Sequence, residues 1–192
     1  FHNLDKIPRI FIYDNVDPRT LNRILSISDL KKTAINVITK SGSTAETISS
    51  FMIIWDKLSK EVSHPERHVI AITDPEKGSL RKIANEKGMA SFSIPPGVGG
   101  RYSVLSPVGL LSAEVMGIDS DELLLGAGDI HKMCAETDLL KNPAYLFGTL
   151  LYMMERKKQK PINIIMPYAD GLKPCAEWFS QLWAESLGKE GK

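Results

Sequence analysis

Ala34-Ile35-Asn36-Val37-Ile38-Thr39-Lys40-Ser41-Gly42-Ser43-Thr44-Ala45-Glu46 is the stretch on which the fold turns. Its first six residues are rich in β-branched side chains, lack strict polar alternation and run into turn residues. That pattern predicts a short strand with both faces covered. Beyond the turn the period changes. Ile48, Phe51, Met52, Trp55 and Leu58 fall at helical spacing and form one apolar stripe. Ser43-Thr44-Ala45-Glu46 has the capping-box form that would start this helix. A strand that passes through a tight polar turn into a helix is the first half of a β-α-β unit.

The same alternation extends in both directions. Arg9-Ile10-Phe11-Ile12-Tyr13-Asp14, His68 to Thr73, Ser91 to Ile94 and Ile162 to Met166 read as further buried strands. Leu80, Ile83 and Ala84 mark a short helix before Gly88. Pro107 to Met116, Asp121 to Ala135, Ala144 to Glu155 and Leu172 to Leu187 read as longer ones. The basic run Arg156-Lys157-Lys158 fits a solvated helix end that faces its own C-terminal dipole. The element order predicts an α/β protein: a parallel sheet flanked on both faces by helices, Rossmann-like and three-layered. Lys160-Pro161 reads as a linker, after which one strand and one helix open a second α/β domain.

Composition excludes several classes. Lys and Arg number 24 against 23 Asp and Glu, a net charge of +1. No basic excess is available for general nucleic-acid binding. At 43% hydrophobic and 24% charged the chain has an ordinary globular composition. No apolar run approaches the ~20 residues that span a bilayer, so no membrane association is expected. Cys134 and Cys175 form no CxxC, and a reducing cytoplasm is the expected location. His2, His64, His68 and His131 lack metal-ligand spacing, so no metal is expected. Neither GxxxxGK[ST] nor GxGxxG occurs, nor a GxSxG elbow, and no cofactor is called for. Asp119-Ser120-Asp121-Glu122 reads as a helix start. The chain opens on Phe1 with no initiator Met and no signal-peptide pattern, as expected of a piece of a longer protein.

Three places carry chemistry. At Lys40-Ser41-Gly42-Ser43-Thr44, hydroxyls, a Gly and a Lys stand at a strand-to-helix turn, where free backbone amides and the positive helix end meet. A phosphate or carboxylate would fit there. The alternative is a well-capped helix after a polar turn. The carboxyl end of a strand is where open α/β sheets bind ligands. The second place, Pro95-Pro96-Gly97-Val98-Gly99-Gly100-Arg101-Tyr102-Ser103, follows the fourth strand at the same sheet edge. Its glycines permit a tight turn that presents Arg101 over a cleft, for a phosphate or a developing oxyanion. A Gly-rich turn with Arg101 paired to a surface carboxylate is the alternative. The third is the last helix, where Gln181 and Glu185 stand four apart, away from the stripe of Leu172, Ala176, Phe179 and Trp183. A carboxylate near a helix C-terminus is disfavoured as an anion, and desolvation by a substrate would bring it toward the range of a general base. A solvated Glu185 paired with Lys189 is the alternative there.

Together these segments resemble the glucose-6-phosphate isomerase (phosphoglucose isomerase) family. The resemblance rests on Asn15-Val16-Asp17-Pro18, on Thr39 to Thr47, on Gly99-Gly100-Arg101-Tyr102-Ser103-Val104-Leu105-Ser106-Pro107-Val108-Gly109, and on Gln181-Leu182-Trp183-Ala184-Glu185-Ser186-Leu187-Gly188-Lys189. It runs over nearly the whole chain, and Gly-Gly-Arg-Tyr-Ser is its most specific part. It implies two sugar isomerase (SIS) domains. Residues 1–155 correspond to the first without its opening strand, and 156–192 to a linker with the first strand and helix of the second. It implies that Thr39, Lys40, Ser41 and Thr44 hold a sugar phosphate. Gly100 and Arg101 would sit at the reacting end, Gln181 would contact substrate, and Glu185 would be the base of an aldose–ketose isomerisation in glycolysis and gluconeogenesis. A homodimeric parent is implied as well.

The same resemblance places an upstream Gly-Gly-Ser phosphate loop before Phe1, and a His and a Lys that serve ring opening beyond Lys192. The fragment is therefore expected to be inactive alone. Two other readings use the same module: a non-catalytic SIS domain that binds a sugar phosphate as a regulatory ligand, and an amino-sugar-phosphate isomerase. The joint presence of Arg101 and Glu185 opposes the first, and the Gly-Gly-Arg-Tyr-Ser match opposes the second.

Overall fold

The structure, a computed structural model, describes residues 8–189. The chain divides into two compact units, one up to Ile118 and one from Asp119 onward. In the first unit, helix α1 (Pro18–Ile27) starts at Asp17, whose carboxylate accepts from Arg19 N at 2.8 Å and from Thr20 Oγ1 at 2.9 Å. Then come β1 (Ile35–Thr39), α2 (Ala45–Glu61), β2 (Val69–Thr73), α3 (Ser79–Lys87), β3 (Ala90–Ser93) and α4 (Pro107–Val115). A 3-10 helix, Gly100–Leu105, precedes α4.

The strands form one parallel sheet in the order β1-β2-β3. Thr39 lies opposite Thr73, and Thr73 opposite Ser93. Because all three run the same way, the loops that leave Thr39, Thr73 and Ser93 emerge at one edge. The core is Leu30, Val37, Phe51, Leu58, Val69, Ala71, Leu80, Ala84 and Met89, with Ile48, Trp55 and Ile83 packed against it. It joins one sheet face to α2 and α3. A fully buried side chain such as Leu58 contributes roughly 1.5–3 kcal/mol of burial.

Four expectations are corrected in this unit. Arg9 to Asp14 forms no strand: the segment pairs with none of the three, and Ile12 is 79% exposed. Strand propensity without a neighbouring ladder does not make a strand. Met52 stands outside the core at 63% exposure. At 100° per residue it lies at the rim of the stripe that Phe51, Trp55 and Leu58 define. Cover on both faces holds at β2, where Ala71 and Ile72 are fully buried on opposite faces, but not at edge strand β3, which is exposed throughout. Finally, α2 begins one residue later than the capping box requires, with Thr44 as its N-cap.

The second unit holds α5 (Ser120–Cys134), α6 (Pro143–Lys158) and α7 (Lys173–Leu187). Asp119 caps α5 by accepting from Asp121 N and Glu122 N at 3.0 and 3.1 Å, the helix-start role expected of the acidic cluster. Fully buried Asn142 caps α6 through Tyr145 N and donates to the carbonyls of Cys134 and Glu136 at 2.8 Å each. A buried amide satisfied in this way fixes the α5–α6 turn. Ile162 to Met166 is a second correction of the same kind as Arg9 to Asp14. It forms no strand, and Ile162 and Ile164 are 80% and 75% exposed. Among the described residues no helix is long and apolar enough to cross a membrane.

Candidate functional site

The loop after β1 is built around three hydroxyls. Thr39, buried at the end of β1, shares a 2.8 Å hydrogen bond with Thr44 Oγ1, and Ser41 Oγ lies 3.3 Å from the same atom. Ser41 Oγ also accepts from Ser43 N at 3.2 Å. Thr44 is the N-cap of α2 by position, yet its hydroxyl is committed to Thr39 and makes no capping bond. The first turn of α2 therefore presents its amides without a side-chain cap, at the positive end of a helix of 17 residues. The expected capping box, whose N-cap would be Ser43, fails because the helix starts one residue later and Ser43 Oγ accepts from Ser79 N instead. An open helix start beside clustered hydroxyls suits an anion. Lys40 is exposed at the mouth of the loop.

Ser43 is turned elsewhere. Its Oγ accepts from Ser79 N at 3.2 Å, across in the turn between β2 and α3. That turn was not among the residues expected to matter. The signal was present in Asp74-Pro75-Glu76-Lys77-Gly78-Ser79, a polar Pro- and Gly-containing turn at the carboxyl end of a central strand.

Beyond β3 the chain reaches Gly100 and Arg101 in the 3-10 helix. Several residues of the motif have a local reason. Ser103 Oγ donates to Gly100 O, and Ser106 Oγ to Ser103 O, each at 2.5 Å. Ser106 then caps α4 by accepting from Val108 N, with Pro107 at the first helical position. Gly109 is required because a Cβ there would collide with Val104 O. Arg101 is half-buried, its guanidinium 5.2 Å from the Tyr102 ring centroid. The Ser/Thr loop and the segment that leads to Gly100–Arg101 thus leave the sheet at the same edge. The strand ends from which they leave, Thr39 and Ser93, are two strands apart, or ~10 Å at the usual strand spacing.

In the second unit, Gln181 and Glu185 are both exposed on α7, and Gln181 Nε2 donates to Glu185 Oε1 at 2.8 Å. Ala176, Phe179 and Trp183 form the half-buried side of that helix, with the Phe179 and Trp183 rings stacked at 5.6 Å. Leu172 falls outside it, as α7 begins at Lys173. Among the described residues no three His, Cys, Asp or Glu gather as metal ligands.

A family model described as "Phosphoglucose isomerase" matches residues 2–192. The chain belongs to the phosphoglucose isomerase family. It is 46% identical over 95% of its length to a glucose-6-phosphate isomerase of Carboxydothermus hydrogenoformans. It is 43% identical over 96% to one of Rubrobacter xylanophilus. It covers 39% and 43% of those two proteins, so it spans about two fifths of the curated relatives it matches. Among solved structures, a hypothetical protein of Thermus thermophilus superposes with a TM-score of 0.87 at 37% identity, over 92% of this chain and 42% of that one. A Chlamydia trachomatis glucose-6-phosphate isomerase superposes with a TM-score of 0.81 over 91% and 34%, and at 24% identity speaks for the fold alone. The parallel sheet flanked by helices is thus the fold of phosphoglucose isomerase relatives.

Proposed function

We propose that the protein containing this chain interconverts glucose 6-phosphate and fructose 6-phosphate, and that this chain supplies its phosphate loop, its oxyanion-stabilising arginine and its base. The observation that carries the reading is the hydroxyl cluster of Thr39, Ser41 and Thr44 at an uncapped helix start. Family membership and the Arg101 segment at the same sheet edge support it.

The chemistry follows from the groups present. The amides of the first turn of α2, the three hydroxyls and Lys40 hold the phosphate dianion and fix the sugar chain. The Glu185 carboxylate removes the C2 proton of the open-chain aldose. The C2–H electron pair forms the C1–C2 double bond, and O1 takes up negative charge as an enediolate. The Arg101 guanidinium stabilises that charge, with Gly100 beside it. Glu185 returns the proton to C1, and the hydroxyl proton passes from O2 to O1 to leave the ketose. Gln181, bonded to Glu185, contacts substrate and orients the carboxylate.

The same reading makes the parent a cytoplasmic homodimer. It assigns residues 1–155 to a first SIS domain and 156–192 to the opening of a second. The phosphate loop is tested by titration with fructose 6-phosphate read by amide chemical shifts. Saturable shifts over 39–47 and 100–103 are expected, with Lys40→Ala and Thr44→Ala each weakening binding about tenfold. Saturable binding that both variants leave unchanged would contradict the assignment.

A further inference from the structure

Helix α3 begins at Gly78, a residue with no side chain to cap it, so its first amides need acceptors from elsewhere. They find them on the loop after β1. Leu80 N donates to Gly42 O at 2.8 Å, and Ser79 N donates to Ser43 Oγ at 3.2 Å. The two turns also touch backbone to backbone. Gly78 has φ +93° and ψ 157°, a region essentially closed to residues with a Cβ. A Cβ there would collide with Ser41 O and lie 2.6 Å from Gly42 Cα. In return, Gly42 sits at φ +68°, where a Cβ would lie 2.8 Å from Gly78 Cα and 3.0 Å from Lys77 O.

The turn that makes these contacts is itself braced. The Asp74 carboxylate accepts from Glu76 N at 2.9 Å and Lys77 N at 2.8 Å. Buried Arg81 donates from Nε to Asp74 O at 2.9 Å and from Nη1 to Ser91 Oγ on β3 at 2.8 Å. One side of the Ser/Thr loop therefore rests against a fixed surface. The consequence for an anion is electrostatic. With its carbonyl bonded to Leu80 N, the Gly42 peptide cannot turn that oxygen toward the phosphate, where it would repel it.

We infer that Gly78, Ser79 and Ser43 are positioning residues, and that the β2–α3 turn holds the 39–44 loop in its anion-binding shape. This rests on the reading of 39–44 as the phosphate site. In the loop's division of labour, Thr39, Ser41 and Thr44 face the ligand, whereas Ser43 and the Gly42 carbonyl face α3.

The test uses the full-length protein. It measures kcat, KM for fructose 6-phosphate and competitive inhibition by inorganic phosphate. Gly78→Ala and Ser43→Ala should raise KM and the phosphate inhibition constant together, about tenfold and about threefold, with kcat changed less than about twofold. Ser43→Thr, which keeps the acceptor, should restore both. Gly88→Ala is the control. Gly88 is the left-handed C-cap of the same helix at φ +68°, with nothing within 4 Å of an added Cβ. It should lower the melting temperature and leave KM and inhibition unchanged. Should Gly78→Ala not fold, the Ser43→Ala and Ser43→Thr pair decides alone. Unchanged KM and inhibition in Ser43→Ala and in folded Gly78→Ala, while Thr44→Ala raises both, would overturn the positioning role. If Thr44→Ala also leaves both unchanged, the phosphate-loop reading itself has failed.

Discussion

Thr39 and Thr73 sit opposite each other at the ends of β1 and β2, both buried, and differ in what their hydroxyls meet. Thr39 Oγ1 bonds to Thr44, whereas Thr73 Oγ1 has no hydrogen-bond partner among the described residues. Replacing an unsatisfied buried hydroxyl with a methyl of the same shape removes a desolvation cost. Thr73→Val should therefore stabilise the fold by about 1 kcal/mol in urea unfolding, with phosphate binding unchanged. Marked destabilisation would show that the hydroxyl is bonded in solution. Asp74 makes an acid-side prediction. Bonds from Glu76 N, then Lys77 N, hold its carboxyl below the usual 3.8. A depressed folded-state pKa stabilises above 3.8 and is lost as pH falls through the lowered value. Asp74→Ala should accordingly lower the urea midpoint at pH 7 and have a smaller effect near pH 2. An equal effect at both would contradict this.

Among the elements, α2 ties the Ser/Thr loop to the core, since Phe51 and Leu58 are buried while its first turn faces the site. Leu58→Ala should cost about 3 kcal/mol by cavity formation, measured as a fall in unfolding free energy at constant m-value. A cost under about 1 kcal/mol would mean that the site collapses around the smaller side chain. The elements also show where sequence reasoning holds. The strands at 35–39, 69–73 and 90–93 were legible because each is a short run that ends at a turn, and each finds a neighbouring strand to pair with. Arg9 to Asp14 and Ile162 to Met166 have equal propensity but no partner strand among the described residues, and pairing is a property of two segments. The site shows the same division. The anion-suited turn at Lys40 to Thr44 was legible, but its uncapped helix start was not, because Ser43 to Glu46 has the form of a capping box. The commitment of Ser43 to Ser79 was not, because it depends on how closely Gly42 and Gly78 approach, which neither segment encodes alone.

On the scale of the whole molecule, the chain covers about two fifths of its curated relatives, and its groups fall in two compact units. The proposed phosphate loop and Arg101 belong to one, and Gln181 and Glu185 to the other. The proposed reaction needs all of them, so the central claim is that one carboxylate, Glu185, moves the proton between C2 and C1. The direct measurement is proton exchange in heavy water, with fructose 6-phosphate and the full-length Glu185→Gln protein. The account predicts loss of isomerisation by at least about a thousandfold, and loss of deuterium incorporation at the sugar carbons, with fructose 6-phosphate affinity kept within about threefold. Isomerisation and exchange at near wild-type rates would contradict it.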